Sequence, residues 1–318
     1  MPLLAEARTK VDTIPVTGIH IPWRLNLTLA TAVLALYLAF YGGVAPLAAR
    51  HSGLFALILA GFVVVTPTLW GLVHEGIHGR LLRNPVANRT AARVLCVLLG
   101  FSFETVQLGH LMHHRYNGHE HDRPDRMKPG EPAWIGWSRH WVHLLGGHYL
   151  FTALVSLVAF VPARLRDLAL QRALSSSQPD IVAMRRATLK WCADRQRIAR
   201  IRIDCLASAL LLLLAVVHYG ALWPLLLLGL YGRAVIYSTL DNLPHYGMYG
   251  RGDEAAMNLT LPPWAAIFVL NHNLHRAHHE RPNLPWRTLP TVLNEAPADG
   301  NYFLAAIHQF SGPIRASQ

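Results

Sequence analysis

Long apolar runs alternate with short polar junctions along the chain. Residues 25–49 (LNLTLATAVLALYLAFYGGVAPLAA) carry no charge. Crossing a hydrocarbon core takes about 20 apolar residues, so this run is long enough to span a bilayer. The run 53–73 follows after Arg50 and His51, so the two read as a helical hairpin, with Pro67 kinking the second helix near its end. Runs 203–218 and 221–240, joined by an uncharged link, read as a second hairpin. Two shorter runs, 92–109 and 149–163, have polar or aromatic flanks and read as interfacial or re-entrant helices. The pattern predicts an all-α integral membrane fold. Four transmembrane helices form two hairpins, with interfacial helices and a cytoplasmic cap.

Lysine and arginine orient the hairpins. The stretch 164–202 holds ten of them against three acids, and 80–93 holds Arg80, Arg83, Arg89 and Arg93 with no acid. Both stretches therefore face the cytoplasm, as do both chain ends. The net charge of +11 becomes a one-sided feature that suits lipid headgroups. Most of these cations follow hydrophobic boundaries, which argues against nucleic-acid binding. The expected layout is a single domain over 1–318. It comprises an N-terminal cytoplasmic segment (1–24), a first hairpin (25–73) and a cytoplasmic or interfacial region (74–202). A second hairpin (203–240) and a cytoplasmic region (241–318) complete it. The first fifteen residues lack the apolar core and small-residue cleavage site of a signal peptide.

Composition agrees: 52% of the residues are hydrophobic and only 15% charged, against roughly 25% charged in soluble domains. That excludes a disordered chain, a coiled coil and a disulfide-stapled secreted domain. Cys96, Cys192 and Cys205 are too scattered for a zinc knuckle or an iron–sulfur set.

The unusual count is 19 histidines against 18 acids. They cluster where apolar runs end: His74 and His78 in HEGIH, His110, His113 and His114 in HLMHH, His275, His278 and His279 in HRAHH, and His245 after the last span. Spacings of i, i+3 and i+4 put side chains on one helix face. With two hairpins, every cluster emerges on the cytoplasmic side, provided that 149–163 does not cross. Nine neutral imidazoles exceed what one metal takes, and two metals with four or five ligands each fit the count. Imidazole suits several metals, and a redox metal explains so many better than zinc does. His20, His51, His140, His143, His148, His218 and His308 stand alone and read as surface or core residues. His119, His121 and His272 flank the boxes.

These boxes resemble the membrane fatty acid desaturase family, whose pattern is HxxxH, HxxHH and HxxHH. The surrounding segments HEGIHGRLLRNP, HHRYNGHEHDRPD and NHNLHRAHHERPNLPWRTLP are similar to those of its bacterial members, and the resemblance covers roughly 54–290. It implies a non-haem di-iron centre held by the nine histidines, with His245 as the extra ligand after the fourth span. It also implies a water-mediated role for Asp241, usually Asn in the family. The acidic turn after the second box, Asp122-Arg123-Pro124-Asp125, is looser than the family's Asp-x-Asp. Expected supports for the imidazoles are Glu75, Glu104, Asp122, Asp125, Asn271, Asn273 and Glu280.

The implied activity is O₂-dependent desaturation of an acyl chain in a bacterial inner membrane, with the metal site on the cytoplasmic side. The acyl-chain lipid is the substrate and membrane lipids surround the spans. No dinucleotide turn, iron–sulfur run or haem module is legible, so electrons come from an external ferredoxin, rubredoxin or cytochrome, docking near 164–202. The same core serves hydroxylases, ketolases, acetylenases and terminal-alkene-forming decarboxylases, and ligand spacing does not select among them. HEGIH is also HExxH, the motif of an intramembrane zinc protease with Glu75 as base and Asp241 as third ligand. That reading leaves seven boxed histidines unexplained. A His-rich transporter would place its ligands near the bilayer midplane, not at span ends.

Overall fold

The computed structural model describes residues 20–48, 51–119, 122–250, 252–295 and 298–315. Residues 1–19, Arg50 of the first hairpin link and His121 lie outside them. The chain is mostly helical. The first apolar run forms α1 (Trp23–Tyr41) and a short α2 (Val44–Ala48). Gly42 breaks it with an extended backbone (φ −82°, ψ −170°), where a residue of low helix propensity ends the turn at little loss. The second run forms α3 (Ser52–Val64) and α4 (Thr66–Ile77). Its break falls at Val65, beside Pro67, which cannot donate to the preceding turn. Helix continues to the first histidine box, so the break lies mid-run rather than near its end.

Asn84 caps α5 (Pro85–Leu99) by accepting from Val86 and Ala87 N–H at 3.0 Å. A cap of this kind contributes about 1 kcal/mol. Gly100, at φ 82°, stops the helix, and α6 (Phe103–Tyr116) leaves at 97° to it. Then come α7 (Ala133–Val142), a π-turn over His143–Gly147 and α8 (His148–Val155). Basic α9 (Ala163–Ala173) and α10 (Pro179–Cys192) precede the long α11 (Arg195–Tyr219) and α12 (Trp223–Asn242). Strands β1 (Leu259–Thr260) and β2 (Gly300–Asn301) pair in parallel, and each runs into a short helix: α13 (Pro263–Phe268) and α15 (Tyr302–His308). Between them lies α14 (His275–Glu280).

Among the described residues, four stretches are long and apolar enough to cross a membrane: Trp23–Tyr41, Gly53–Ile77, Ala133–Phe160 and Arg195–Asn242. The last contains both α11 and α12. The bent pair α5–α6 would make a fifth if counted as one broken span. Ala133–Phe160 extends the interfacial or re-entrant helix expected over 149–163 much further towards the N-terminus. It is nevertheless folded back at Leu145 and Gly146, which have non-helical backbones (Gly146 φ 105°). His140 meets the Gln309 carbonyl at 2.9 Å, and Gln309 in turn accepts from Asn242 at the end of α12. The Ala159 carbonyl accepts from Arg202 near the start of α11, while Gly146 packs against Ala234 inside α12. Both limbs thus start and finish at one end of the α11–α12 pair.

The sharp turn between α5 and α6 is held by charge. Arg233, nine residues before the end of α12, donates to the Leu98 carbonyl at 2.7 Å and the Tyr41 hydroxyl at 2.5 Å, and also to Tyr149. Asp204, nine residues into α11, accepts from Ser102 Oγ at 3.0 Å and Phe103 N–H at 3.2 Å, and pairs with Arg93 at 2.6 Å. A cation therefore meets the C-terminal carbonyls of α5, and an anion meets the N-terminal amides of α6. Each sign complements the partial charge of the helix end it faces. Beside them, Glu104 pairs with Arg89, with Arg200 at 2.5 Å and with Arg197 at 3.4 Å. It was expected among the groups supporting the imidazoles, but its carboxylate is taken up by arginines. The aromatic core behind this turn stacks Phe40 on Phe62 with centroids 3.8 Å apart.

Candidate metal centre

Each histidine box ends or opens a helix. His74 lies in the last turn of α4 and His78 caps its end. The second box occupies the last turns of α6, the third forms most of α14, and His245 sits in the turn after α12. The HxxHH spacing sorts its own members. At about 100° per residue, i+4 lies some 40° to one side of i, and i+3 some 60° to the other. His110 and His114 accordingly join one group, and His113 the other. In the third box His275 and His279 stay together while His278 crosses over.

Two sets result, each with its ligand atoms within 4.8 Å of one another. His74, His78, His110, His114 and His278 form the first; His113, His245, His275 and His279 form the second. They adjoin, with the rings of His114 and His279 4.3 Å apart.

The donor geometry suits cations. Nε2 of His110 approaches Nε2 of both His78 and His114 at 2.9 Å, and His114 Nε2 approaches that of His278 at 3.0 Å. In the second set His279 and His275 meet at 3.1 Å, again through Nε2. A neutral imidazole has one ring N–H and one lone pair, so crowded Nε2 atoms cannot all satisfy each other. His74 Nε2 is buried with no hydrogen-bond partner. A metal ion satisfies such a cluster through its lone pairs. Burial keeps most of the rings neutral: His78 and His245 are pushed down to about 3, and His275, His278 and His279 well below the ordinary imidazole range, whereas the Asp122 carboxylate outweighs burial and raises His113.

Two rings have their other nitrogen fixed. His113 Nδ1 bonds the Asp122 carboxylate at 2.7 Å, and His245 Nδ1 donates to the Ala255 carbonyl at 2.7 Å. Each anchor leaves Nε2 free for the centre, the arrangement that orients metal-bound histidines. Asn117 Nδ2 lies 3.4 Å from His279 Nδ1. Asp241 meets His148 Nε2 at 3.1 Å. His148, which the spacing alone placed outside the site, stacks on Tyr237 with His143 beside it. No local signal marks it, because the contact joins helices 93 residues apart in sequence. His272 packs 4.5 Å from the ring of His275.

Most of the remaining expected supports bond backbone. Asn271 donates to the Trp286 carbonyl at 2.9 Å, and Asn273 to that of Leu259 at 2.7 Å, so both hold the loop bearing the third box. Asp125 is bound by Arg123 at 2.7 Å and by Gly247 N–H at 3.0 Å, tying the loop after the second box to the His245 turn. Glu75 is buried and accepts from Trp286 N–H at 3.3 Å. Glu280 is exposed at the end of α14. Glu75, Asn271 and His272 line a small cavity against His74, His275 and His278, with Gly71, Leu270 and Leu289 as apolar walls. Leu270 and Asn271 there hold φ of 50° and 53°. Asn tolerates that region, whereas Leu carries about 1–2 kcal/mol of strain.

The fatty acid desaturase family model matches residues 51–311. A beta-carotene ketolase from Paracoccus sp. (strain PC1) is 32% identical over 116 residues. That alignment takes in 35% of this chain and 48%, about half, of the ketolase.

Proposed function

The chain belongs to the fatty acid desaturase family, a family of oxidoreductases, and from that premise we propose that it is an O₂-dependent, di-iron fatty acyl desaturase. The observation that carries the reading is the pair of convergent imidazole sets, each with its ligand atoms within 4.8 Å of one another. The first set would hold one iron and the second the other. Bound there, the irons supply O₂ activation and the oxidising power to remove hydrogen from an unactivated methylene. The chain's own residues do the rest. Asp122 and the Ala255 carbonyl orient His113 and His245. His148 fixes the carboxylate of Asp241, the proposed water-mediated partner of the second metal. The cavity beside His74 and His278, walled by Gly71, Leu270 and Leu289, admits the reacting methylene. The zinc-protease reading fits less well, because His74 and His78 share their set with three further imidazoles.

Convergence of the nine rings also supports the topology. Histidines of one centre lie on one side of a membrane, so an even number of crossings separates His114 from His245. In this proposal α11 and α12 supply both, and Ala133–Phe160 dips and returns. Four crossings in two hairpins follow, with the centre and chain ends cytoplasmic in a bacterial inner membrane. Exposed cations on α9 and α10 (Arg164, Arg172, Arg186, Lys190) form a face suited to an acidic ferredoxin, rubredoxin or cytochrome donor.

The test is lipid mass spectrometry of a host expressing wild type or His278→Ala. A new unsaturated acyl chain, absent with the variant, supports desaturation; unchanged acyl lipids in both strains contradict it. The ketolase match favours a second reading, insertion of a keto group into a carotenoid. The same strains given β-carotene separate the two: a ketone that needs His278 selects the second.

A further inference from the structure

Two segments that the sequence assigned to an aqueous cap have the surface of lipid-facing elements. α13 carries Trp264, 73% exposed, and Ile267. α15 and the turn after it carry Phe303, Leu304, Ile307 (69% exposed) and Phe310. Neither segment contains an Asp, Glu, Lys or Arg over 263–268 or 302–310. In water, clustered large apolar side chains of this kind are a liability. The parallel β1–β2 pair starts the two helices from neighbouring points, since each begins within three residues of its strand.

Depth comes from a hydrogen bond. Thr68 Oγ1 donates to the Phe268 carbonyl at 2.6 Å. Thr68 lies nine residues before the end of α4, inside the candidate span Gly53–Ile77. At 1.5 Å per residue that is about 13 Å along the helix. Leu270 then packs on Gly71, one turn nearer the histidines. The exposed face also continues onto α7, where Trp137 abuts Gly312 and Trp141 lies 6.0 Å from Phe310. From α7 the chain runs into exposed Leu150, Phe151 and Leu154 of the dipping segment.

We propose that α13 and α15 are embedded in the leaflet that surrounds α4, so that the third-box loop is a membrane-inserted wall of the cavity rather than part of an aqueous cap. Tryptophan and large aliphatic residues on short uncharged helices suit the interfacial region. On the functional reading above, an apolar chain then reaches Leu270 and Leu289 without leaving the lipid; the placement of the helices does not depend on that reading.

The test needs neither metal nor turnover. Full-length protein in phosphatidylcholine nanodiscs carries a bimane label at Ile267→Cys or Ile307→Cys, corrected for the unsubstituted chain. Leu213→Cys on α11 gives the lipid reference, and Lys190→Cys on α10 the aqueous one. Expected is about twofold or greater quenching by doxyl-phosphatidylcholine with little response to iodide, as for an interfacially buried face. Iodide quenching like that of Lys190→Cys overturns the placement. So does shielding from both quenchers, which means that protein rather than lipid covers the face.

Discussion

At the scale of single residues, the i, i+3, i+4 pattern does most of the assignment. Fixed rotation per residue divides each HxxHH box between two sets, as His113 and His278 show. The spacing placed each box on one helix face, and the finer phase that parts His113 from His114 and His278 from His279 emerges only in the structure. The groups that hold the rings were less legible in the sequence. Asp122 stands nine residues from His113 and could be guessed, but Ala255 contributes a backbone carbonyl, which no sequence pattern marks. Releasing His113 from Asp122 frees its ring to turn, so Asp122→Ala is expected to lower iron retention and product formation about 10- to 100-fold, read by metal analysis and product yield. Gly71 has a different task. A Cβ there already meets Leu270 Cβ at 3.0 Å. Gly71→Leu should therefore fill the cavity and abolish turnover while bound iron stays at the wild-type level; loss of iron would show that the site itself had collapsed.

At the scale of elements, the turn between α5 and α6 shows where sequence reading stops. The apolar run 92–109 is visible, but its division at Gly100 and the charges that hold it depend on Arg233 and Asp204, more than a hundred residues away. Arg233 sits inside a run that hydropathy reads as an uninterrupted span. Ala133–Phe160 is a second case: the sequence marks only 149–163, as interfacial or re-entrant, while the helix before it and the break at Leu145 and Gly146 emerge only in its packing against α11 and α12. Removing one partner of a buried charge pair costs about 3–5 kcal/mol. Asp204→Asn removes the charge that serves Arg93, Ser102 and the Phe103 amide at once. Its melting temperature in detergent should fall by several degrees, whereas Arg195→Gln, on an exposed side chain, should leave it unchanged.

At the scale of the whole molecule, the exposed cations and the histidine sets occupy different elements. The basic helices α9 and α10 expose Arg164, Arg172, Arg186 and Lys190, while the imidazoles occupy the junction of α4, α6, α12 and α14. If an acidic donor docks there, Arg186→Glu with Lys190→Glu should raise the donor concentration needed for half-maximal turnover about tenfold. Turnover with a small chemical reductant should not change, and rising salt should reduce the difference. The central claim is that the nine histidines hold two irons, and metal stoichiometry tests it most directly. Purified chain, reconstituted anaerobically with iron and zinc in competition, is measured by elemental analysis beside His110→Ala, His275→Ala and Glu75→Gln. The account predicts about two irons per chain in the wild type and in Glu75→Gln, with about one lost in each histidine variant. A single zinc, retained without His110 or His275, contradicts it.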